Sequence, residues 1–268
     1  MMIMDVLVCF KVVPDLDQLP PGGWEIDSAL RVETGFVKTM LNPYDESALE
    51  LALRFAESAP FPVKLTALTV GGREAESYLK TLYALRFDRA VRLESDADLR
   101  FSPESVAAAI CAFVRHNPQD LIIMGRQSGV GDNAATPLIT AEMLDWPCIS
   151  QVTGIKIRGE DWLELGSMVD DGFLRQLARP PLVAAVGNAP HAYLRVPTLK
   201  ERLACRDKKV EVIEAAIPAS EKKAAGCALA GLAVIDRRRA GVKIEGANPQ
   251  EKARRLYQEY LKGWLAEL

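Results

Sequence analysis

Three glycines stand close together in the middle of the chain, between a short apolar run and a helix-like pattern. They are Gly125, Gly129 and Gly131 in the stretch DLIIMGRQSGVGDNAATP, and the helix-like pattern ends near Trp146. Glycine lets a ligand approach the backbone, and a helix N-terminus offers unpaired N–H groups and a partial positive charge that suit phosphate. The stretch therefore predicts either a phosphate-binding loop or a tight turn without a ligand, and its composition alone does not decide between them.

Three better-known nucleotide motifs are excluded. GVGDNA resembles the dinucleotide fingerprint G-x-G-x-x-A, but that fingerprint belongs to the first strand–helix turn and needs an acid at the end of the next strand. Here the loop follows the fourth predicted strand, and the next one, CISQVTGIKI, has no such acid. The chain also lacks GxxxxGK[ST] and SGGxDS, which excludes a P-loop nucleotide hydrolase and the pyrophosphatase loop of nucleotide α-hydrolases.

The elements that must position this loop alternate between strands and helices. Predicted strands cover residues 3–10, 63–70, 88–94 and 120–125, and predicted helices cover residues 42–58, 73–87 and 102–115. This alternation predicts an α/β fold with a doubly wound, mainly parallel sheet and helices on both faces. Such a sheet binds ligands at the carboxyl ends of its strands, which is where the glycine-rich loop begins.

The pattern changes after Trp146. Three segments at 148–159, 162–170 and 172–178 predict an antiparallel extension, and PPLVAAVG predicts one more buried strand. From about Arg206 large apolar residues become few.

We therefore predict two regions in the chain. Residues 1–206 form a nucleotide-binding α/β domain, and residues 207–268 form a C-terminal arm for subunit association. The arm ends in an amphipathic helix whose apolar positions need a partner to bury them. These positions are Leu256, Tyr257, Tyr260, Leu261 and Trp264.

Composition sets limits on the function. The chain has 268 residues, 49% of them hydrophobic, and a formal net charge of -3, which gives no argument for nucleic-acid or membrane binding. Two histidines are too few for a histidine-based metal site, so no metal is expected. Five cysteines without a CxxC pair, and no apolar run of membrane-spanning length, predict a cytoplasmic protein with reduced thiols.

Six segments, in chain order, resemble the beta subunit family of electron transfer flavoproteins over about residues 4–206, with a looser match in the tail. They are VCFKVVPD, LNPYDESALELAL, LTVGGREAESYLKTLYALRFDRAVRL, DLIIMGRQSGVGDNAATP, LDWPCISQV and NAPHAYLRVPTLKERLACRDKKVEV. The resemblance implies the adenine nucleotide alpha-hydrolase-like form of the doubly wound sheet, in agreement with the alternation of elements.

The resemblance implies an electron carrier and not an enzyme with its own substrate. A beta subunit forms a heterodimer with an alpha subunit, shields the FAD that the alpha subunit holds, and relays electrons from a flavin dehydrogenase to a downstream acceptor. Its own pocket holds AMP in ordinary members and a second FAD in bifurcating members. AMP is the expected ligand here, because Val130 replaces the first acid of the family's loop motif and Ala135 replaces a common glutamine.

The same resemblance implies the site residues. The nucleotide pocket is expected to use Phe10, Lys11, Asn42, Val70, Gly125, Gln127, Gly131, Asp132, Asn133, Ala134, Ala135 and Thr136. Tyr44 matches an aromatic position that packs against the alpha subunit's flavin, and a partly buried helix aromatic is the alternative. Leu16 stands where the family often has a second aromatic.

Two further assignments have structural alternatives. Asn42 is also suited to cap the helix that follows it, where Asp45 and Glu46 favour the positive end of the helix dipole. The segment 193–205 matches the family's dehydrogenase-docking loop. A basic run lies within this segment and directly after it, and the alternative interpretation of that run is a solvated face; it consists of Lys200, Arg202, Arg206, Lys208 and Lys209.

Other departures from the family pattern are Pro137, Ala189 and His191. Three alternatives follow: a stand-alone adenine-nucleotide-binding regulatory or stress-type domain, a bifurcating subunit with a second FAD, and an enzyme of the hydrolase branch. The arm and the antiparallel extension count against a stand-alone domain, and the missing motifs count against a hydrolase.

Overall fold

The computed structural model describes residues 3–20, 23–159, 161–217, 229–233 and 241–266. It divides into two compact units, Met1–Gly231 and Leu232–Leu268. Among the described residues, no helix combines the length and the apolar character that crossing a membrane requires.

The first unit is built from strands and helices, which alternate one by one over residues 39–158. In chain order they are β1 (Met4–Cys9), β2 (Val12–Pro14), β3 (Thr39–Leu41), α1 (Pro43–Ser58), β4 (Val63–Gly71), α2 (Glu76–Ala84), β5 (Arg89–Glu94), α3 (Pro103–His116), β6 (Leu121–Gly125), α4 (Thr136–Leu144), β7 (Cys148–Arg158), β8 (Trp162–Val169), β9 (Gly172–Ala178), β10 (Leu182–Val186), α5 (Leu199–Ala204) and β11 (Glu211–Glu214). Short 3-10 helices lie at Leu16–Gln18 and Arg73–Ala75.

The described strands form a nine-stranded sheet of order β11-β5-β4-β1-β6-β10-β7-β8-β9 and a two-stranded sheet of β2 and β3. In this sheet order, the strands from β11 at one edge through β7 all run parallel. Strands β8 and β9 then extend the sheet in antiparallel fashion at the other edge. The predicted fold class, a mainly parallel α/β sheet with an antiparallel extension, is confirmed.

The central strand β1 shows why the sheet is covered on both faces. Its side chains alternate between two cores, as the two-residue period of a strand requires. Val6 and Val8 pack in a core with residues of α1 and α2. Leu7 and Cys9 pack in a second core with residues of α3 and α4. Helices α1 and α2 therefore cover one face and α3 and α4 the other.

The edge beyond β5 is formed by residues just after position 206. Strand β11 pairs in parallel with β5, Arg89 forms an ion pair with Glu211 at 2.8 Å, and the Tyr83 hydroxyl donates to Lys209 O at 3.0 Å. These contacts place 207–217 against the sheet. A short edge strand with mostly exposed side chains carries little apolar signal, which is why the sequence pattern fades before it.

The second unit contains α6 (Pro249–Leu256), a π-helical turn (Tyr257–Leu261) and α7 (Lys262–Leu265). The Asn248 side chain caps α6 by accepting the Glu251 N–H at 2.9 Å. Leu256, Tyr257, Tyr260 and Trp264 are all exposed, the tryptophan at 63%. The predicted helix is present, but the π-helical turn interrupts it.

Candidate functional site

The residues predicted to bind a nucleotide converge at one edge of the large sheet. Phe10 and Lys11 follow β1, Val70 lies near the end of β4, and Gly125 ends β6. Strand β1 lies between β4 and β6 and runs parallel to both, so these carboxyl ends are neighbours. The chain builds β4 and β5 on one side of β1 and returns to the other side with β6. This edge is therefore the switch point of the sheet, where ligands of such folds bind.

Asp45, in the first turn of α1, joins the ends of β1 and β6. One carboxylate oxygen accepts the Lys11 N–H at 2.9 Å and the other accepts the Gly125 N–H at 2.8 Å. Burial raises the pKa of Asp45 to about 6, against the opposing effect of hydrogen-bond donors at Asn42, Lys11 and Gly125. The carboxyl group therefore braces the floor of the site.

Asn42 is buried at the centre of this edge. Its side-chain amide donates to Gln127 O at 2.9 Å, and its own N–H donates to Lys11 O at 2.9 Å. Asn42 occupies the N-cap position of α1, where its backbone O accepts the Glu46 N–H at 2.9 Å, but its side chain makes no capping bond, so the predicted side-chain cap is wrong. The side-chain oxygen of Asn42, Oδ1, is buried and accepts no hydrogen bond from the described residues.

The glycine-rich loop that follows β6 has an unusual backbone. Gly131, Asp132 and Ala134 have positive φ angles of 85°, 41° and 51°. A Cβ on Gly131 would lie 2.4 Å from Arg100 O, so this position needs glycine for space as well as for conformation. Strain of this kind persists only where the surrounding structure imposes it.

Side chains of the site itself hold the loop in place. The Lys11 ammonium donates to Val130 O at 2.8 Å. Burial lowers the pKa of Lys11, and the Asp45 carboxylate opposes that effect. Gln127 donates to Asp132 Oδ1 at 2.8 Å inside the loop. The Asn133 side chain donates to Arg100 O at 3.0 Å, so it stabilises the loop.

The loop ends at the N-terminus of α4. The N–H of Ile139 makes a bond of 3.0 Å to Ala135 O, so the N–H groups of residues 133–136 precede the helical ladder. Asn133 and Ala134 are exposed, and Ala135 and Thr136 are half-buried. Pro137, which has no N–H to offer, is buried against the protein. These groups together suit an anion such as phosphate.

Tyr44 lies beside this site on α1, and Arg126 covers one face of its ring. The guanidinium carbon of Arg126 is 5.2 Å from the ring centroid, a cation–π distance. The backbone N–H of Arg126 donates to Val186 O at 2.9 Å, which fixes the start of its side chain at the end of β10. Tyr44 is half-buried, so part of the ring remains open to a ligand or partner.

The segment that resembles the docking loop is clamped to α1. Arg195 donates to both Glu50 and Glu57, and the N–H of Leu194 donates to Glu46 at 3.1 Å. Glu50 is buried. Further along, Thr198 and Glu201 form a capping box that starts α5. Several apolar side chains of this segment are exposed by 60% or more; they are Tyr193, Val196, Leu199 and Leu203.

Two residues of the site were missed by the sequence analysis. Asp45 looked like a favourable charge at a helix start, and its bonds to Lys11 and Gly125 span 34 and 80 residues. Arg126 stands between Gly125 and Gln127, both predicted site residues, and that position was the available signal.

A separate cleft of about 540 Å³ lies between α1, β7 and the loop at residues 189–191. Its lining includes Arg54, Lys156 and His191, and it shares no residue with the predicted nucleotide site.

Comparison with known proteins identifies the family. The electron transfer flavoprotein domain matches residues 30–218. A putative electron transfer flavoprotein subunit (YgcR) of Escherichia coli K12 is 36% identical over 97% of this chain and 98% of its own length. The electron transfer flavoprotein subunit beta of Bacillus subtilis is 30% identical over 71% of this chain and 75% of its own. The acryloyl-CoA reductase electron transfer subunit gamma of Anaerotignum propionicum is 28% identical over 79% and 78%. The chain therefore belongs to the electron transfer flavoprotein beta subunit family.

Proposed function

We propose that this chain is the beta subunit of a heterodimeric electron transfer flavoprotein. It shields the FAD of an alpha subunit and relays electrons from a flavin dehydrogenase to a downstream acceptor. At the switch point of its own sheet it binds AMP. The observation that carries the proposal is the convergence of Lys11, Asn42 and Gly125 with the free N–H groups before α4.

The residues present fit an adenine nucleotide. Asn42 Oδ1 is a buried acceptor that finds no donor among the described residues, and a buried polar group without a partner costs a few kcal/mol. A ligand hydroxyl or amino group, or a water molecule, supplies the missing donor. The N–H groups of residues 133–136 supply donors for a phosphate without any side chain. Lys11 adds a positive charge next to the loop.

The first acid and the usual glutamine of the family's loop motif are replaced by Val130 and Ala135. A monophosphate needs mainly backbone donors, which these replacements leave in place. A second FAD needs more polar side chains along its pyrophosphate and ribityl chain. AMP is therefore the ligand we propose for this pocket.

The partners follow from two exposed surfaces. In the second unit, Tyr257, Tyr260 and Trp264 are exposed on one short helical segment, and we assign them to the alpha subunit as part of the association arm at 207–268. In the first unit, residues 193–205 present apolar side chains beside a basic run, and we assign them to the dehydrogenase. The Anaerotignum propionicum relative is named as the electron transfer subunit of a reductase, which supports an oxidoreductase as partner.

The test is to co-express the chain with an FAD-binding alpha subunit of this family and to purify the complex through a tag on the beta chain. The visible spectrum reports the flavin, and chromatography of the denatured complex counts the nucleotides. One FAD and one AMP per heterodimer is the expected result. Two FAD would instead identify a bifurcating subunit, and one FAD without AMP would mean that the glycine-rich loop is only a turn. A colourless, monodisperse single chain would favour a stand-alone nucleotide-binding domain.

A further inference from the structure

Arg126 is a cation at the candidate site that has no counterion among the described residues. In the described parts of the chain it has neither an ion pair nor a side-chain hydrogen bond, and its Nε atom is buried without a partner. Other arginines of the chain are neutralised: Arg92 and Arg195 each pair with two carboxylates. The aromatic partner of the Arg126 guanidinium is the ring of Tyr44.

That contact holds the charge in place without cancelling it. A carboxylate partner would neutralise the guanidinium, whereas an aromatic face attracts it through its quadrupole and leaves the positive charge intact. The Arg126 N–H donates a hydrogen bond of 2.9 Å to Val186 O, and this bond fixes the backbone end of the side chain. The result is a pre-positioned positive charge whose guanidinium makes no hydrogen bond to the part of the chain that the structure describes.

Arg126 and the α4 N-terminus serve different faces of the sheet. Tyr44 belongs to α1, which packs in the core on one face. Helix α4 packs with α3 in the core on the opposite face. The guanidinium stacked on Tyr44 therefore lies against α1, which covers the opposite face of the sheet from α4. The site thus offers two positive groups, Arg126 beside α1 and the N–H groups before α4.

We propose that Arg126 is the cationic contact of this subunit with the alpha subunit's FAD and that it raises the reduction potential of that flavin. The inference rests on the proposed function and on the expectation, from the family resemblance, that Tyr44 packs against the alpha subunit's flavin. Reduction adds negative charge to the isoalloxazine ring, and a nearby fixed cation stabilises the reduced form more than the oxidised form. Arg126 thereby shifts the equilibrium of electron uptake toward the carrier.

The experiment compares midpoint potentials of FAD in purified heterodimers, by spectroelectrochemical titration. The variants are Arg126→Gln, which removes the charge, and Arg126→Lys, which keeps it. The matched control is Arg175→Gln, since Arg175 also stacks on an aromatic ring, Phe173 at 5.8 Å, and lies on β9. We expect a more negative potential for Arg126→Gln, a potential near wild type for Arg126→Lys, and no change for Arg175→Gln.

Two results would overturn the inference: an unchanged potential in Arg126→Gln, or an equal shift in Arg175→Gln. Loss of AMP from Arg126→Gln together with an unchanged potential would assign the charge to the nucleotide phosphate. If Arg126→Gln does not assemble, Arg126→Met keeps the aliphatic stem and is read in the same way. If the wild-type chain forms no FAD-containing heterodimer, the proposed function itself is rejected. If the wild-type heterodimer forms and the variants leave its potential unchanged, only the inference about Arg126 fails.

Discussion

The carboxylate of Asp45 occupies the place where a side chain on Gly125 would have to go. Asp45 Oδ1 accepts the Gly125 N–H at 2.8 Å, and a Cβ on Gly125 would lie 2.3 Å from that same oxygen. It would also lie 2.8 Å from Asp45 N. The first glycine of the loop is therefore required by the approach of α1 to the end of β6.

Replacement of Gly125 by alanine should separate α1 from β6. We expect Gly125→Ala to lower the free energy of unfolding by about 1–3 kcal/mol, the usual range for overpacking a filled site. Urea unfolding followed by circular dichroism measures it. The control is Gly129→Ala in the same loop, because a Cβ there meets no atom of the described residues within 4 Å. Equal stability of the two variants would show that the α1 contact does not constrain position 125.

The pKa of Asp45 predicts a pH dependence of stability. Burial raises this pKa from 3.8 to about 6 in the folded state, so the folded protein binds the proton more tightly than the unfolded chain. The stabilising contribution is therefore complete below the unfolded value and is lost as pH rises through about 6. A shift of this size corresponds to about 3 kcal/mol.

Asp45→Asn removes the titrating group and should remove this dependence. The difference in free energy of unfolding between wild type and Asp45→Asn should fall as pH rises from about 4 to about 7. A constant offset is expected as well, because the amide can accept only one of the two N–H bonds. Stability curves that stay parallel across this range would contradict the prediction.

The sequence predicted the order and type of the elements well because each is encoded locally. The predicted helix at 42–58 is observed as Pro43–Ser58, and the predicted strand at 120–125 as Leu121–Gly125. Contacts between distant positions carry no such local signal. The fit of Gly131 against Arg100 O depends on how two loops approach in the folded chain, and no spacing in either loop encodes that distance.

The candidate site shows the same division. The motif pointed to Gly125 and Gln127 and to the loop that joins them to α4. It did not reveal that Asn42 binds Gln127 O and not the start of α1, because both partners satisfy the same amide group. The buried position of Asn42 in the folded protein decides which of the two partners its amide binds. A sequence pattern does not show which side chains become buried in this way.

The clamp on the proposed docking segment should contribute strongly to stability. Arg195 binds Glu50, whose side chain is buried, and Arg54 is the other cation that pairs with it among the described residues. We expect Arg195→Ala to destabilise the protein by about 1.5–3 kcal/mol, the range for hydrogen bonds to a charged group, because Arg54 still pairs with Glu50 in the variant. Limited proteolysis should also cleave the chain faster near Tyr193 and Leu199.

The control for the clamp is Arg158→Ala. Arg158 pairs with Glu164 through an exposed bond of 3.1 Å, so its loss should change stability by less than about 1 kcal/mol. If Arg195→Ala behaves like Arg158→Ala in both measurements, residues 193–205 are held by other contacts.

Tyr44 should report on the flavin. If it packs on the alpha subunit's FAD, Tyr44→Ala should shift the flavin absorption bands while the heterodimer remains intact on gel filtration. Tyr193→Ala is the control, since Tyr193 is 82% exposed and belongs to the docking segment. If Tyr44→Ala and Tyr193→Ala both keep the flavin absorption spectrum of the wild type, Tyr44 is a structural helix residue that only supports Arg126.

The apolar positions of the second unit should hold the alpha subunit. Tyr260 and Trp264 are 48% and 63% exposed, and burial of a large side chain contributes about 1.5–3 kcal/mol. Tyr260→Glu combined with Trp264→Glu should therefore weaken the heterodimer by about 100-fold or more in Kd.

The amount of alpha subunit that co-purifies with the tagged chain, and the dissociation constant from analytical ultracentrifugation, measure the effect. Gln258→Glu adds a charge on the same π-helical turn without removing apolar surface, so it should leave association unchanged. Undiminished recovery of the alpha subunit with the double variant would assign association to a different surface.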